Sequence, residues 1–91
     1  MAAIARRVRV SGKVQGVFFR AWTREEAERL NVAGWVRNCS DGSVEAHLEA
    51  DPEAVDRLLA LLHEGPPHAR VDDVSAEDAP VENLQDFRVR H

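Results

Sequence analysis

Apolar and polar positions alternate at the start of the chain. Ile4, Val8 and Val10 fall on one side and Arg7 and Arg9 on the other, the periodicity of a strand with one buried face, so residues 4–11 read as a strand. Gly12 breaks the pattern. The segment Gly12-Lys13-Val14-Gln15-Gly16 is too rich in glycine for a strand interior and too short for a linker, and is expected to be a tight loop. The period then becomes helical. Phe19, Thr23, Ala27 and Leu30 recur on one face, while Arg24/Glu28 and Glu25/Arg29 oppose charges at i, i+4 on the other, which predicts a helix over about 19–31. Gly34 marks the break after it. Residues 33–39 and 43–50 read as two strands joined by Asn38-Cys39-Ser40-Asp41-Gly42, where Asp-Gly supplies the positive φ of a hairpin turn. In the second of these, Val44, Ala46, Leu48 and Ala50 alternate with Glu45, His47 and Glu49, so one face is expected to be wet. Asp51 is a natural N-cap with Pro52 at the first helical position; Val55, Leu58, Leu59 and Leu62 form an apolar stripe, and Gly65 with Pro66-Pro67 ends the helix. A strand over about 69–77 and a short strand, Phe87–Arg90, complete the chain.

The order β-α-β-β-α-β with a terminal β predicts an α+β, ferredoxin-like sandwich: an antiparallel sheet with both helices on one face, plus the short C-terminal strand. The 91 residues suit one domain, 1–91, with a thin core, so any site should be a surface cleft. The topology also makes a geometric prediction. The first two strands run parallel with the third between them, so their C-terminal ends lie at one end of the sheet, roughly 10 Å apart at ~4.8 Å per strand step. The Gly12–Gly16 loop leaves the sheet there, and so does Asn38.

That convergence gives the loop its chemistry. Gly16 lets backbone approach a ligand, the next residues enter the first turn of a helix whose free N–H groups attract anions, and Arg20 offers a planar fork of donors suited to a phosphate. The Gly-Lys-Ser/Thr ending of a nucleoside-triphosphate loop is missing. A glycine loop before a helix is often only a connection, and an asparagine at a strand end often only a turn residue; their meeting at one place is what raises both.

Composition narrows the partners. The net charge of −4 argues against nucleic acid, which needs a basic face. Cys39 is the only cysteine, which fits a reducing compartment, and neither a signal-like apolar run at the N-terminus nor a membrane-length one occurs, so a cytoplasmic protein is expected.

Gly12-Lys13-Val14-Gln15-Gly16-Val17-Phe18-Phe19-Arg20 resembles the acylphosphatase signature G-x-V-Q-G-V-x-F-R at every fixed position. Gly34-Trp35-Val36-Arg37-Asn38 followed by Asp41-Gly42-Ser43-Val44-Glu45 resembles that family's second signature, and the order of elements also matches, including Gly65-Pro66-Pro67 and the Phe87–Arg90 ending. His68 is a departure, standing where glycine is frequent, and bears on the shape of that loop. A monomer is expected. The resemblance implies a metal-independent and cofactor-free hydrolase of small acyl phosphates such as acetyl phosphate. It puts the catalytic residues at Arg20 and Asn38 and the phosphate-binding loop at Gln15, Gly16, Val17, Phe18, Phe19 and Arg20.

Other residues carry weaker chemistry. Cys39 has no neighbouring histidine or helix N-terminus to activate it. His47, His63, His68 and His91 lack metal-ligand spacing, and His47 is expected on the solvated side of its strand. Trp22 and Trp35 read as packing residues. Two alternatives remain at this stage: a non-catalytic anion- or ligand-binding domain on the same fold, and an RNA-binding module, which would need aromatics on the first and third strands that are not there.

Overall fold

In a computed structural model, which describes residues 3–91, the elements follow in the order β1 (Ile4–Lys13), α1 (Phe19–Arg29), β2 (Ala33–Asn38), β3 (Val44–Ala50), α2 (Pro52–Glu64), β4 (Arg70–Ala79) and β5 (Phe87–Arg90). The sheet has the order β4-β1-β3-β2-β5. β3 runs antiparallel to both β1 and β2, so β1 and β2 are parallel with β3 between them, as the sequence predicts. The sheet is mixed rather than wholly antiparallel, because β5 lies parallel to β2 at the far edge. That follows from the connection: residues 80–86 lead from β4 at one edge to β5 at the other, and the Asp86 carbonyl accepts from the Gly34 N–H at 2.9 Å as the new strand begins.

One apolar cluster joins helices to sheet. Phe19 and Ala27 of α1 and Val55, Leu58 and Leu62 of α2 pack with Val8, Val10, Val36, Val44, Ala46 and Leu48 of the strands. Burying each valine, leucine or phenylalanine of this set stabilises by roughly 1.5–3 kcal/mol. Thr23, also buried on the inner face of α1, satisfies its hydroxyl by donating to the Phe19 carbonyl at 2.8 Å. Asp51 caps α2 as expected, accepting from the Ala54 N–H at 2.9 Å.

Three local expectations are corrected. Gly12 and Lys13 belong to β1, not to a loop: the register against β4 shifts between Ser11 and Gly12, and a Cβ on Gly12 would lie 2.1 Å from the Arg70 carbonyl. The glycine serves a bulge and a close strand approach. α1 ends at Arg29, two residues short of Asn31, which takes a left-handed φ of 58°. On its outer face Arg29 pairs with Glu26 rather than Glu25.

The larger correction concerns the face of β3 expected to be wet. Glu45, His47 and Glu49 are all buried, His47 completely. The Trp35 ring stacks on His47 with centroids 5.9 Å apart and is itself overlaid by the guanidinium groups of Arg7, Arg37 and Arg90 at 4.9, 5.9 and 4.7 Å. Arg37 donates to Glu45 from Nε at 2.8 Å and from Nη2 at 2.6 Å. The connection over residues 80–86 crosses this face and is held by Glu49, whose carboxylate accepts from the N–H groups of Glu82 and Leu84 and lies 2.7 Å from His47 Nε2. Burial alone would push the Glu49 carboxyl up. The N–H of Glu82, the side chain of His47 and the N–H of Leu84 together outweigh that and hold it below its ordinary value. A depressed carboxyl stabilises the fold above its unfolded-state pKa and loses that contribution as pH falls through the folded-state value. Urea denaturation should therefore show stability falling as the solution is acidified below the ordinary carboxylate range. Glu49→Gln should be less stable at pH 7, by about 1–3 kcal/mol, and should lose less on acidification; an equal acid loss in the variant would remove Glu49 from this role.

Candidate active site

At one end of the sheet, Val14, Gly16, Phe18, Phe19, Arg20 and Ala21 meet Asn38 from β2 and Val89 and His91 from the end of the chain around a cleft of about 360 Å³. Arg20 and Asn38, eighteen positions apart in sequence, thus share one cavity, as the topology predicts.

The approach to α1 is built from two left-handed residues, Gly16 at φ 74° and Phe18 at φ 61°. Phe18 is the N-cap, and its carbonyl accepts the Trp22 N–H at 3.0 Å. Its side chain makes no capping bond. Among the described residues, no acceptor meets the backbone N–H groups of residues 15–21. A continuous run of free donors at a helix start, shaped by left-handed turns, is a concave anion site.

Arg20 is oriented from outside this loop. Its Nη1 donates to the Arg90 carbonyl at 3.2 Å and lies 3.1 Å from His91 Nδ1. One end of the guanidinium is thereby committed to the C-terminal segment, leaving Nη2 and Nε for a ligand. Of the expected phosphate-binding residues, Gly16, Phe18, Phe19 and Arg20 line the cleft; Gln15 and Val17 do not. The Gln15 amide is turned away and donates to the carbonyls of Cys39 and Ser43 at 2.8 and 2.9 Å, so its side chain ties the loop to the β2–β3 hairpin. Any contact it makes with an anion is through its backbone.

The hairpin is itself braced. Ser43 donates to the Asp41 carboxylate from its N–H at 2.9 Å and its hydroxyl at 2.6 Å, and Arg9 donates to the Ser43 hydroxyl at 2.9 Å. Ser43, through hydroxyl and N–H, holds the Asp41 carboxyl below its ordinary value. These contacts set Asn38 at the strand end, paired with Val44. The Asn38 side-chain carbonyl, Oδ1, is buried and has no hydrogen-bond partner. Leaving such an acceptor unsatisfied costs about 1–3 kcal/mol.

Ligand-type side chains also come together on the opposite sheet face, where His47, Glu49 and Glu82 offer atoms within 4.8 Å of one another. Glu49 is already occupied by two backbone donors and His47, and the Arg7 guanidinium lies 3.7 Å from Glu82 and 3.5 Å from His47 Nδ1. A cation at that place and a pair of filled acceptors suit a strap over the sheet rather than a metal ion. Sequence reasoning did not include Val89, the Arg90 carbonyl or His91 in the site. Nothing near them in sequence signals it; only the parallel seating of β5 beside β2 brings them there.

Comparison with known proteins agrees with this fold. The family model described as Acylphosphatase matches residues 6–89. An acylphosphatase of Rubrobacter xylanophilus is 59% identical over 85 residues, covering 92% of this chain and 77% of that one. The structure of an acylphosphatase from Coxiella burnetii superposes with a TM-score of 0.93 at 46% identity, covering 97% of this chain and 93% of that one. The acylphosphatase from Bacillus subtilis gives 0.94 at 32% identity, with coverage of 97% and 99%. With both signature segments meeting at one cleft and nearly the whole chain matched, this chain belongs to the acylphosphatase family.

Proposed function

We propose that the chain hydrolyses carboxyl-phosphate mixed anhydrides such as acetyl phosphate to carboxylate and inorganic phosphate, with Arg20 holding the phosphoryl group and Asn38 orienting the water that attacks it. The leaving carboxylate is stable as an anion and needs no proton. The work is therefore to hold the phosphoryl group, neutralise its charge and aim a water in line with the departing oxygen. The free N–H groups of residues 15–21 and the uncommitted side of the Arg20 fork supply the first two functions. Asn38 supplies the third: an amide is no general base near neutral pH, but its side chain carries both donor and acceptor atoms and so can orient a water.

The observation that carries this reading is the meeting of Asn38 with Arg20 and the free loop donors around one cleft. The same reading takes the protein to be one domain, acting in the cytoplasm as a monomer without metal, cofactor or nucleic acid. No helix of the described residues is long and apolar enough to cross a membrane, and among the described residues the exposed large apolar side chains are Phe18 and Val81.

The decisive assay sets acetyl phosphate against a phosphate monoester at equal concentration. Acetyl phosphate should be turned over and the monoester should not. Inorganic phosphate should inhibit competitively, since it occupies the same donors as the substrate phosphoryl group. Inhibition that excess substrate cannot relieve would put the anion site elsewhere.

A further inference from the structure

Arg20 is held at one nitrogen by two partners. Nη1 carries two hydrogens; it donates to the Arg90 carbonyl at 3.2 Å and lies 3.1 Å from His91 Nδ1. A single acceptor would leave the planar fork free to turn about that bond. A second acceptor fixes the plane, and with it the direction in which Nε and Nη2 face. His91 itself lines the cleft that holds Arg20 and Asn38.

The chemistry of the pair decides the state of the ring. A guanidinium only donates and keeps its charge, so Nδ1 must offer its lone pair. His91 is therefore neutral in this contact, with its proton on Nε2. A proton added at Nδ1 turns the acceptor into a second donor and sets an imidazolium against a guanidinium, and the contact is lost. The surroundings do not offset this. α1 brings Arg20 to the cleft, β2 brings Asn38 and β5 brings Val89, and no carboxylate lines it. Arg90 sends its guanidinium over Trp35, and Arg37, opposite Arg90 in β2, is taken by Glu45. We infer that His91 is a positioning residue for Arg20, and that protonation of its ring releases the guanidinium, so that turnover falls as the solution is acidified. This rests on the reading of the site as an acyl-phosphate hydrolase and goes beyond it, since neither a guanidinium nor an amide changes charge near neutral pH, where imidazoles titrate.

The test measures kcat for acetyl phosphate on the full chain from about pH 8 to about pH 5, across the range of histidine titration. The wild type should lose about three- to tenfold, the worth of one neutral hydrogen bond. His91→Asn keeps an acceptor, Oδ1, that does not titrate. Its profile should lack the acid step, and any titration of the substrate itself shows in this variant too. His91→Phe keeps a ring without an acceptor; it should be slower than the wild type at about pH 8 by the same factor and show no acid step. Nitrogen NMR of the wild-type ring should report the Nε2–H tautomer at that pH. A merely structural histidine would change melting temperature and leave the profile alone. A wild type without an acid step, an acid step that persists in His91→Asn, wild-type kcat in His91→Phe, or an Nδ1–H tautomer each overturns the inference while the hydrolase reading stands. Absence of turnover at every pH overturns that reading and this inference with it.

Discussion

Arg20→Ala should lower kcat by about 10²–10³-fold and also weaken competitive inhibition by phosphate, because the proposed role puts the guanidinium against the phosphoryl group before and during the reaction. Arg20→Lys should rescue little. The fork of Arg20 does two jobs at once: Nη1 bonds the Arg90 carbonyl and meets His91, while the other nitrogens remain for the ligand. An ammonium group is a point donor without that planar geometry, and cannot be steered by the C-terminal segment while presenting a second edge to the phosphate. The measurement is steady-state kinetics with phosphate as competitor, on variants whose melting curves show an intact fold. Full turnover in Arg20→Lys would mean that charge alone suffices and that the observed orientation is incidental.

Asn38→Ala should behave differently. Its expected loss, roughly 10² or more in kcat, is the scale of one oriented hydrogen-bonding group, while phosphate affinity should stay nearly intact because Asn38 is assigned to the water and not to the anion. The unfolded-to-folded balance should move the other way. Removing a buried acceptor without a partner relieves about 1 kcal/mol or more, so the variant should be at least as stable as the parent. Asn38→Asp should recover no activity, since a new carboxylate beside a phosphoryl group repels it. If Asn38→Ala abolishes phosphate binding while Arg20→Ala preserves it, the two roles are reversed.

The elements were legible in the sequence because local patterns declared them: the strand alternations, the Asp51-Pro52 start of α2, the glycine-proline end after it. So was the meeting of Arg20 with Asn38, which needed only the handed topology of a split β-α-β unit. What stayed hidden depends on contacts distant in sequence. Glu45, His47 and Glu49 alternate as a solvated face would, and nothing near them shows that residues 80–86 cross over them and that arginines cover Trp35. Gly12 has the pattern of a loop glycine, and its place in a bulge appears only against Arg70 of β4. Gln15 sits within the first family signature, yet its side chain serves the hairpin. A motif marks where chemistry gathers; it does not divide the labour among its residues.

The seating of β5 alongside β2 has a kinetic meaning. Residues 34–37 pair with residues 87–90, more than half the chain away in sequence. Such closures carry a larger entropic cost than the nearer hairpin of β2 and β3, so β5 is expected to dock after that hairpin has made an edge. The carbonyl that steers Arg20 arrives with that last strand. A chain with its core already collapsed would hold the loop donors and Asn38 but leave the guanidinium unsteered, so in refolding experiments activity should return no earlier than the pairing of β5 with β2.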